Sequence, residues 1–170
     1  MPEETGRPEE REQKVYKTLA DLGIPYVRHD HPPVFTVEQA VIHWRGIEGS
    51  HCKNLFVRNK KGNRHYLIIA EHLKKVDIQA IAKQIQSDRL SFASDDRMKR
   101  FLGVSPGEVS PFGLLHDERK EVIVILDAGL QNETFINFHP NVNTATLTIA
   151  YADLLKFLAW RGNRVLVLSF

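Results

Sequence analysis

The stretch Asn54-Leu55-Phe56-Val57-Arg58-Asn59-Lys60-Lys61-Gly62-Asn63-Arg64-His65-Tyr66-Leu67-Ile68-Ile69-Ala70 decides the fold. Two runs rich in β-branched, aromatic and aliphatic residues, Asn54 to Asn59 and His65 to Ala70, flank Lys60-Lys61-Gly62-Asn63. Gly and Asn tolerate the positive φ angles that tight turns demand, so the segment reads as a β-hairpin. On its amino-terminal side, Thr36 followed three residues later by Gln39 is a capping-box pattern ahead of Ala40, Val41 and Ile42, predicting a helix after Val34-Phe35. Further upstream, Val15, Leu19 and Leu22 recur at helical spacing until Gly23 and Pro25 stop them, and Tyr26 to His29 reads as a short strand. Residues 1–10, acidic and polar, are expected as a flexible arm.

On the carboxyl-terminal side, Asp77 and Ser94 are placed to cap two helices, one carrying Ile78, Ile81, Ala82 and Ile85, the other Met98, Phe101 and Leu102 and ending at Gly103. Leu90 to Phe92 is at most a short strand between them. Glu121 to Asp127, Thr134 to Phe138, Thr144 to Ile149 and Arg164 to Ser169 read as strands, with a helix from Tyr151 to Trp160. Strands and helices that do not strictly alternate predict an α+β domain with a mixed, largely antiparallel sheet. The 170 residues are taken as one domain, a length that buries a sizeable core.

Hydrophobic residues make up 42% and charged residues 26%, the balance of a globular protein. No apolar run reaches the roughly 20 residues that span a bilayer. The first thirteen residues carry no apolar stretch that could serve as a secretory signal. One cysteine, Cys52, excludes an internal disulfide, so a reducing cytoplasm is the expected compartment. Net charge is only +2, yet Arg58, Lys60, Lys61 and Arg64 gather around the hairpin turn, and Arg97, Lys99 and Arg100 around another segment. Either cluster could hold phosphates or be a solvated face.

No phosphate loop, dinucleotide fingerprint or Gly-x-Ser-x-Gly elbow is present. His29 and His31 lack a third partner in a zinc-binding frame, so no metal is expected. Cys52 beside His51 suggests a thiol nucleophile, but strand neighbours point to opposite faces, which favours a packed cysteine. Lys53 opens the hairpin strand and could present its charge to a carbonyl or phosphate, or could snorkel at the surface. His139, ending Ile136-Asn137-Phe138-His139, carries the same ambiguity. Gly103 to Gly113 forms a loop rich in Gly and Pro, of the kind shaped for a task.

Taken together, Cys52-Lys53-Asn54-Leu55-Phe56, Tyr66-Leu67-Ile68-Ile69-Ala70, Gly107-Glu108-Val109-Ser110-Pro111, and Phe138-His139-Pro140 with Asn143-Thr144 resemble the YbaK and prolyl-tRNA synthetase editing-domain superfamily. Within it the sequence is most similar to the free-standing ProX-type members that deacylate alanyl-tRNA(Pro) in trans. The resemblance implies a barrel-like sheet with an open pocket and no cofactor. It implies hydrolysis of mischarged tRNA(Pro), with Lys53, Asn54, Gly107 and His139 as catalytic residues. Glu108, Ser110 and Pro111 would form the pocket wall, and Val34, Phe35, Ile47 and Phe112 would line it or, alternatively, pack the core. Arg58, Lys60, Lys61 and Arg64 would contact tRNA. Prolyl-tRNA synthetase is an expected transient partner; membrane and DNA are not. Alternatives left open are a cysteinyl-tRNA(Pro) deacylase, a deacylase for another small aminoacyl group, and a non-catalytic sensor of amino acid or charged tRNA.

Overall fold

The computed structural model describes residues 6–34 and 36–170; Phe35 and residues 1–5 of the expected arm lie outside them. The remainder of that arm is partly helical. Helix α1 spans Pro8–Asp21, because Pro8 stands where a missing N–H costs nothing and the Glu10 carboxylate accepts the Arg7 N–H at 3.2 Å. Strand β1 (Val27–Asp30) and helix α2 (Val37–Trp44) follow, the latter capped by the Thr36 hydroxyl, which accepts from Gln39 N–H at 3.2 Å.

Strand β2 spans Ser50–Asn59, starting four residues ahead of the expected Asn54, so Lys53 sits inside the strand and not at its opening. The cause is Gly49. With φ +91°, it lies so close to Phe135 that an added Cβ would stand 2.6 Å from the Phe135 carbonyl oxygen, and only glycine permits that approach. β3 (His65–Glu71) completes the hairpin, and the buried Asn59 carboxamide holds the turn by accepting from Asn63 and Arg64 N–H at 3.1 Å each.

Helix α3 (Ile78–Gln84), strand β4 (Leu90–Phe92) and helix α4 (Asp95–Leu102) come next, the helices capped by Asp77 and Ser94 as their sequences indicate. The loop before β5 (Val122–Asp127) contains a 3₁₀ turn over Pro111–Leu115, and another spans Ala128–Asn132; neither carries a periodic signal. β6 (Phe135–Phe138), β7 (Ala145–Ala150), α5 (Tyr151–Arg161) and β8 (Val165–Leu168) close the fold.

The sheet runs β1-β7-β6-β2-β3-β5-β8, with β4 added to β2. β2 pairs antiparallel with β3 and β4 but parallel with β6, and β5 lies parallel between β3 and β8, giving the mixed α+β architecture. One face carries the larger core, where Phe56, Leu67, Ile69, Val124 and Phe138 meet α1, α4 and α5. The other carries a smaller core of Val57, Tyr66, Ile68 and Ile125 under α3. β3 is buried on both faces, which explains its unbroken apolar run.

Candidate active site

Strand alternation separates the two residues at the centre of the Cys52–Phe56 motif. Asn54 shares its face with Phe56 and the larger core, whereas Lys53 shares its face with Leu55, Val57 and the smaller one. The Lys53 ammonium donates to the Lys74 carbonyl in the turn between β3 and α3. Lys74 in turn pairs with the buried Asp127 carboxylate at 2.7 Å.

Asn54 helps to wall a small recess of about 230 Å³, mouth included, at the edge of β2. Trp44, His51, Cys52, Asn137, Phe138, His139 and Thr146 also line it. Because the recess lies at the strand edge, both His51 and Cys52 reach it, although strand neighbours point to opposite faces. Lys53 is not among its walls. The Trp44 indole stacks on the His51 ring at 4.1 Å and meets the His72 ring edge at 4.8 Å. Burial pushes the Cys52 thiol up, with the Glu71 charge adding to it, so the sulfur is a packed thiol and not a thiolate nucleophile.

The His139 Nδ1 lies 2.9 Å from the Ala145 carbonyl, an acceptor only, so Nδ1 carries the proton in the neutral ring. Nε2 then holds the lone pair and has no partner among the described residues. Burial lowers the His139 pKa below the ordinary 6.5, partly opposed by the Ala145 contact, which keeps the ring neutral at pH 7. His51 is held down to about 4 by burial, with His72, His139 and His29 repelling a further charge. Asn54 lines the same recess, and its Oδ1 is buried and accepts from no described donor. A recess with an unpaired carboxamide oxygen and an unprotonated imidazole nitrogen is built to receive hydrogen-bond donors.

The edge of β2 is also open here. His72 N–H donates to His51 O at 2.9 Å and Asn59 N–H to Arg64 O at 3.1 Å, so odd-numbered residues of β2 turn their backbone polar groups toward β3. Even-numbered residues face the opposite edge, where Phe56 O accepts from Ala93 N–H at 2.9 Å. On that edge the β6 ladder ends at His51 and the β4 ladder begins at Val57. Asn54 falls in the split between them, where neither ladder pairs a described residue with it.

The loop residues support this recess from outside it. Gly107 is exposed at φ +87° with nothing within 4 Å of an added Cβ, so glycine is needed there for conformation and not for close approach. Glu108 is engaged by Arg11 at 3.0 Å and by Ser105 N–H at 3.0 Å. The Ser110 hydroxyl donates to Asn141 Oδ1, and Asn141 Nδ2 donates to Phe112 O, both at 3.1 Å. Pro111 and Phe112 are buried, Phe112 packing edge-on against Phe138 and Phe157, which makes it core behind the recess. Val34 is buried and Ile47 half-buried, and neither walls the recess; Phe35 lies outside the described residues. His29 and His31 bond the Thr148 and Thr146 hydroxyls at 3.2 and 2.9 Å.

The turn carrying Lys60, Lys61 and Arg64 lies at the other end of β2, roughly 26 Å from His51 at about 3.3 Å per residue. There α4 joins it: Arg97 Nη1 donates to Gly62 O at 2.9 Å, so the two basic clusters form one surface. Arg58 is spent in part on the turn, its Nη1 bonding Asn59 O and Lys60 O. Trp44, Asn137 and Thr146 carry no local signal in the sequence, and only long-range pairing brings them to the recess.

A profile of the aminoacyl-tRNA editing domain family matches residues 31–157. The protein is 40% identical over 152 residues to the prolyl-tRNA editing protein ProX of Acetoanaerobium sticklandii, a match spanning 89% of this protein and 92% of that one. It is 33% identical over 155 residues to the prolyl-tRNA synthetase associated domain-containing protein 1 of Bos taurus, spanning 89% and 91%. A solved structure described as a candidate trans-editing enzyme for prolyl-tRNA synthetase shares the fold, with TM-score 0.67 at 18% identity over 94% of this protein and 97% of that one.

Proposed function

The protein belongs to the aminoacyl-tRNA editing domain family, and from that membership we propose that it is a trans-acting deacylase of mischarged tRNA(Pro), alanyl-tRNA(Pro) above all. The observation that carries this is the pairing of two acceptors without a described donor, Asn54 Oδ1 and His139 Nε2, among the residues that line one small recess.

Water attacks the ester carbonyl while His139 Nε2 takes a proton from it, directly or through the neighbouring ribose hydroxyl of the tRNA. The tetrahedral intermediate then expels the ribose oxygen, which is reprotonated, and free amino acid and tRNA leave. Lys53 supplies positive charge to the developing oxyanion or the terminal phosphate. Its flexible four-carbon stem lets the ammonium exchange the Lys74 carbonyl for the substrate. Gly107 and its loop hold the segment that carries His139. The exposed Lys60, Lys61 and Arg64, with Arg58, contact tRNA phosphates, and the setting is the cytoplasm, with prolyl-tRNA synthetase as a transient source of substrate.

Such a sieve answers a physical need. A synthetase pocket rejects a competitor smaller by a methylene by only about 1–3 kcal/mol, so a second site must admit alanyl and refuse the bulkier prolyl group. The test is release of amino acid from a panel of aminoacyl-tRNAs. Fast release from alanyl-tRNA(Pro) with prolyl-tRNA(Pro) spared is the expected result. Preference for cysteinyl-tRNA(Pro) would reassign the substrate, and binding without release from any ester would make the protein a sensor.

A further inference from the structure

The split in the sheet beside Asn54 has the form of one vacant rung of a β-ladder: an N–H donor and a carbonyl acceptor on the same residue, facing the same way, with strands paired above and below but no described strand between. In an antiparallel pair, two directly opposed residues can exchange both bonds, each N–H meeting the other's carbonyl. An aminoacyl ester is a single amino-acid residue. It carries a carbonyl oxygen that accepts and an α-amino nitrogen that donates, at the spacing of a strand residue.

We propose that the aminoacyl group docks on this rung as a one-residue strand, its ester carbonyl accepting from the Asn54 backbone N–H and its α-amino group donating to the Asn54 backbone carbonyl. The assignment rests on the deacylase reading and deepens it by naming how the substrate is held. Strand addition uses backbone groups for affinity and leaves side-group selection to a pocket. The aminoacyl side group then points off the rung into the recess walled by Phe138 and Thr146.

The Asn54 N–H is fixed by β2 before substrate arrives, which is what an oxyanion donor requires, because no reorganisation is needed as charge develops. His139, the proton acceptor for the attacking water, lines the same recess as Asn54. The rung further explains why a cyclic amino acid is refused beyond its size. An alanyl ammonium rotates freely about its N–Cα bond until a hydrogen meets the Asn54 carbonyl. The pyrrolidine ring of a prolyl group removes that rotation.

Two measurements test the rung. The first is NMR of the ¹⁵N-labelled full-length protein with 3′-alanylamino-3′-deoxyadenosine, a non-hydrolysable analogue. The Asn54 amide proton is expected to shift downfield and to exchange at least tenfold more slowly. Shifts at Phe138 and His139 with none at Asn54 would overturn the rung while leaving the recess as the site. No shift at any of the three would overturn both readings.

The second measurement compares alanyl-tRNA with propionyl-tRNA, which keeps the carbonyl and shape but lacks the nitrogen, each corrected for spontaneous hydrolysis. A kcat/KM at least tenfold lower for propionyl is expected. That ratio should persist in Asn54→Ala, whose backbone groups survive even though overall activity falls. Equal rates in the wild type would overturn the rung. A ratio that collapses to one in Asn54→Ala would overturn it also, by assigning the amino group to the carboxamide Oδ1.

Discussion

The Ser110 hydroxyl donates to Asn141 Oδ1 at 3.1 Å across a buried contact, and Asn141 stands two residues beyond His139. The Gly-Pro loop thus grips the segment whose imidazole faces the recess. Asn141 holds a left-handed φ of +61°, and its Nδ2 bond to Phe112 O adds a second tie.

Ser110→Ala removes the first tie and leaves the Asn141 oxygen without that donor. We expect a loss of about 1–3 kcal/mol in denaturant unfolding, the cost of an unmade buried hydrogen bond. Deacylation should fall through kcat with KM little changed, because His139 is displaced while the binding walls stay. A variant as stable as wild type with unchanged kcat would show that the loop does not position His139.

Lys53→Ala should fold, since Lys53 is only half-buried and its ammonium satisfies one carbonyl in a turn. Single-turnover hydrolysis of alanyl-tRNA(Pro) is expected to drop about 10²–10³-fold, the range for losing one donor that stabilises the developing charge. A drop of twofold or less would confine Lys53 to holding the turn at Lys74.

The histidines set two pH dependences of different origin. His139 is neutral at pH 7 with its pKa held below 6.5, so kcat should be flat from pH 7 to 8 and fall only in acid, below the usual imidazole range. His51 and His65 are both held at about 4, His65 by burial and by Arg97, Arg100 and Arg58 around it. From pH 6.5 down to 4 the unfolded protein therefore takes up protons that the folded protein refuses, and stability falls as pH is lowered through that window. Melting curves from pH 8 to 4 should show a Tm that declines below 6.5; a flat Tm would contradict the neutral burial of both rings.

Charge reversal at Lys60, Lys61 and Arg64 should raise KM for tRNA and flatten its dependence on salt, since each phosphate contact contributes close to one unit of slope. The turn lies at the far end of β2 from the recess, so hydrolysis of a minimal aminoacyl-adenosine should be untouched. An unchanged salt slope would make the turn a solvated face.

Much of this structure is legible in the sequence where the signal is local. Thr36, Asp77 and Ser94 each accept the backbone N–H that their positions announce, and Gly62 turns the hairpin with φ +71°. What escapes a reading of the sequence is non-local. β2 begins at Ser50 because Gly49 rests against Phe135, a contact between residues far apart in sequence. Phe112 is core because Phe138 and Phe157 close over it. The motif brings Lys53 and Asn54 forward as one unit, although the two-residue period of any strand already assigns them to opposite faces. The role of Trp44 depends on α2 lying over His51 and His72, which no spacing encodes.

The parallel pairing of β2 with β6, Ser50 beside Ile136 and His51 beside Asn137, has a bearing on the order of assembly. The β2–β3 hairpin closes a short loop and can form early, whereas β6 must return across a long stretch of polypeptide before it finds β2. Lys53 and Asn54 belong to the early half, and His139 arrives with the late one. A nascent or partly folded protein therefore holds only half of the apparatus, and competence to cleave an ester emerges only once that long-range pairing has closed.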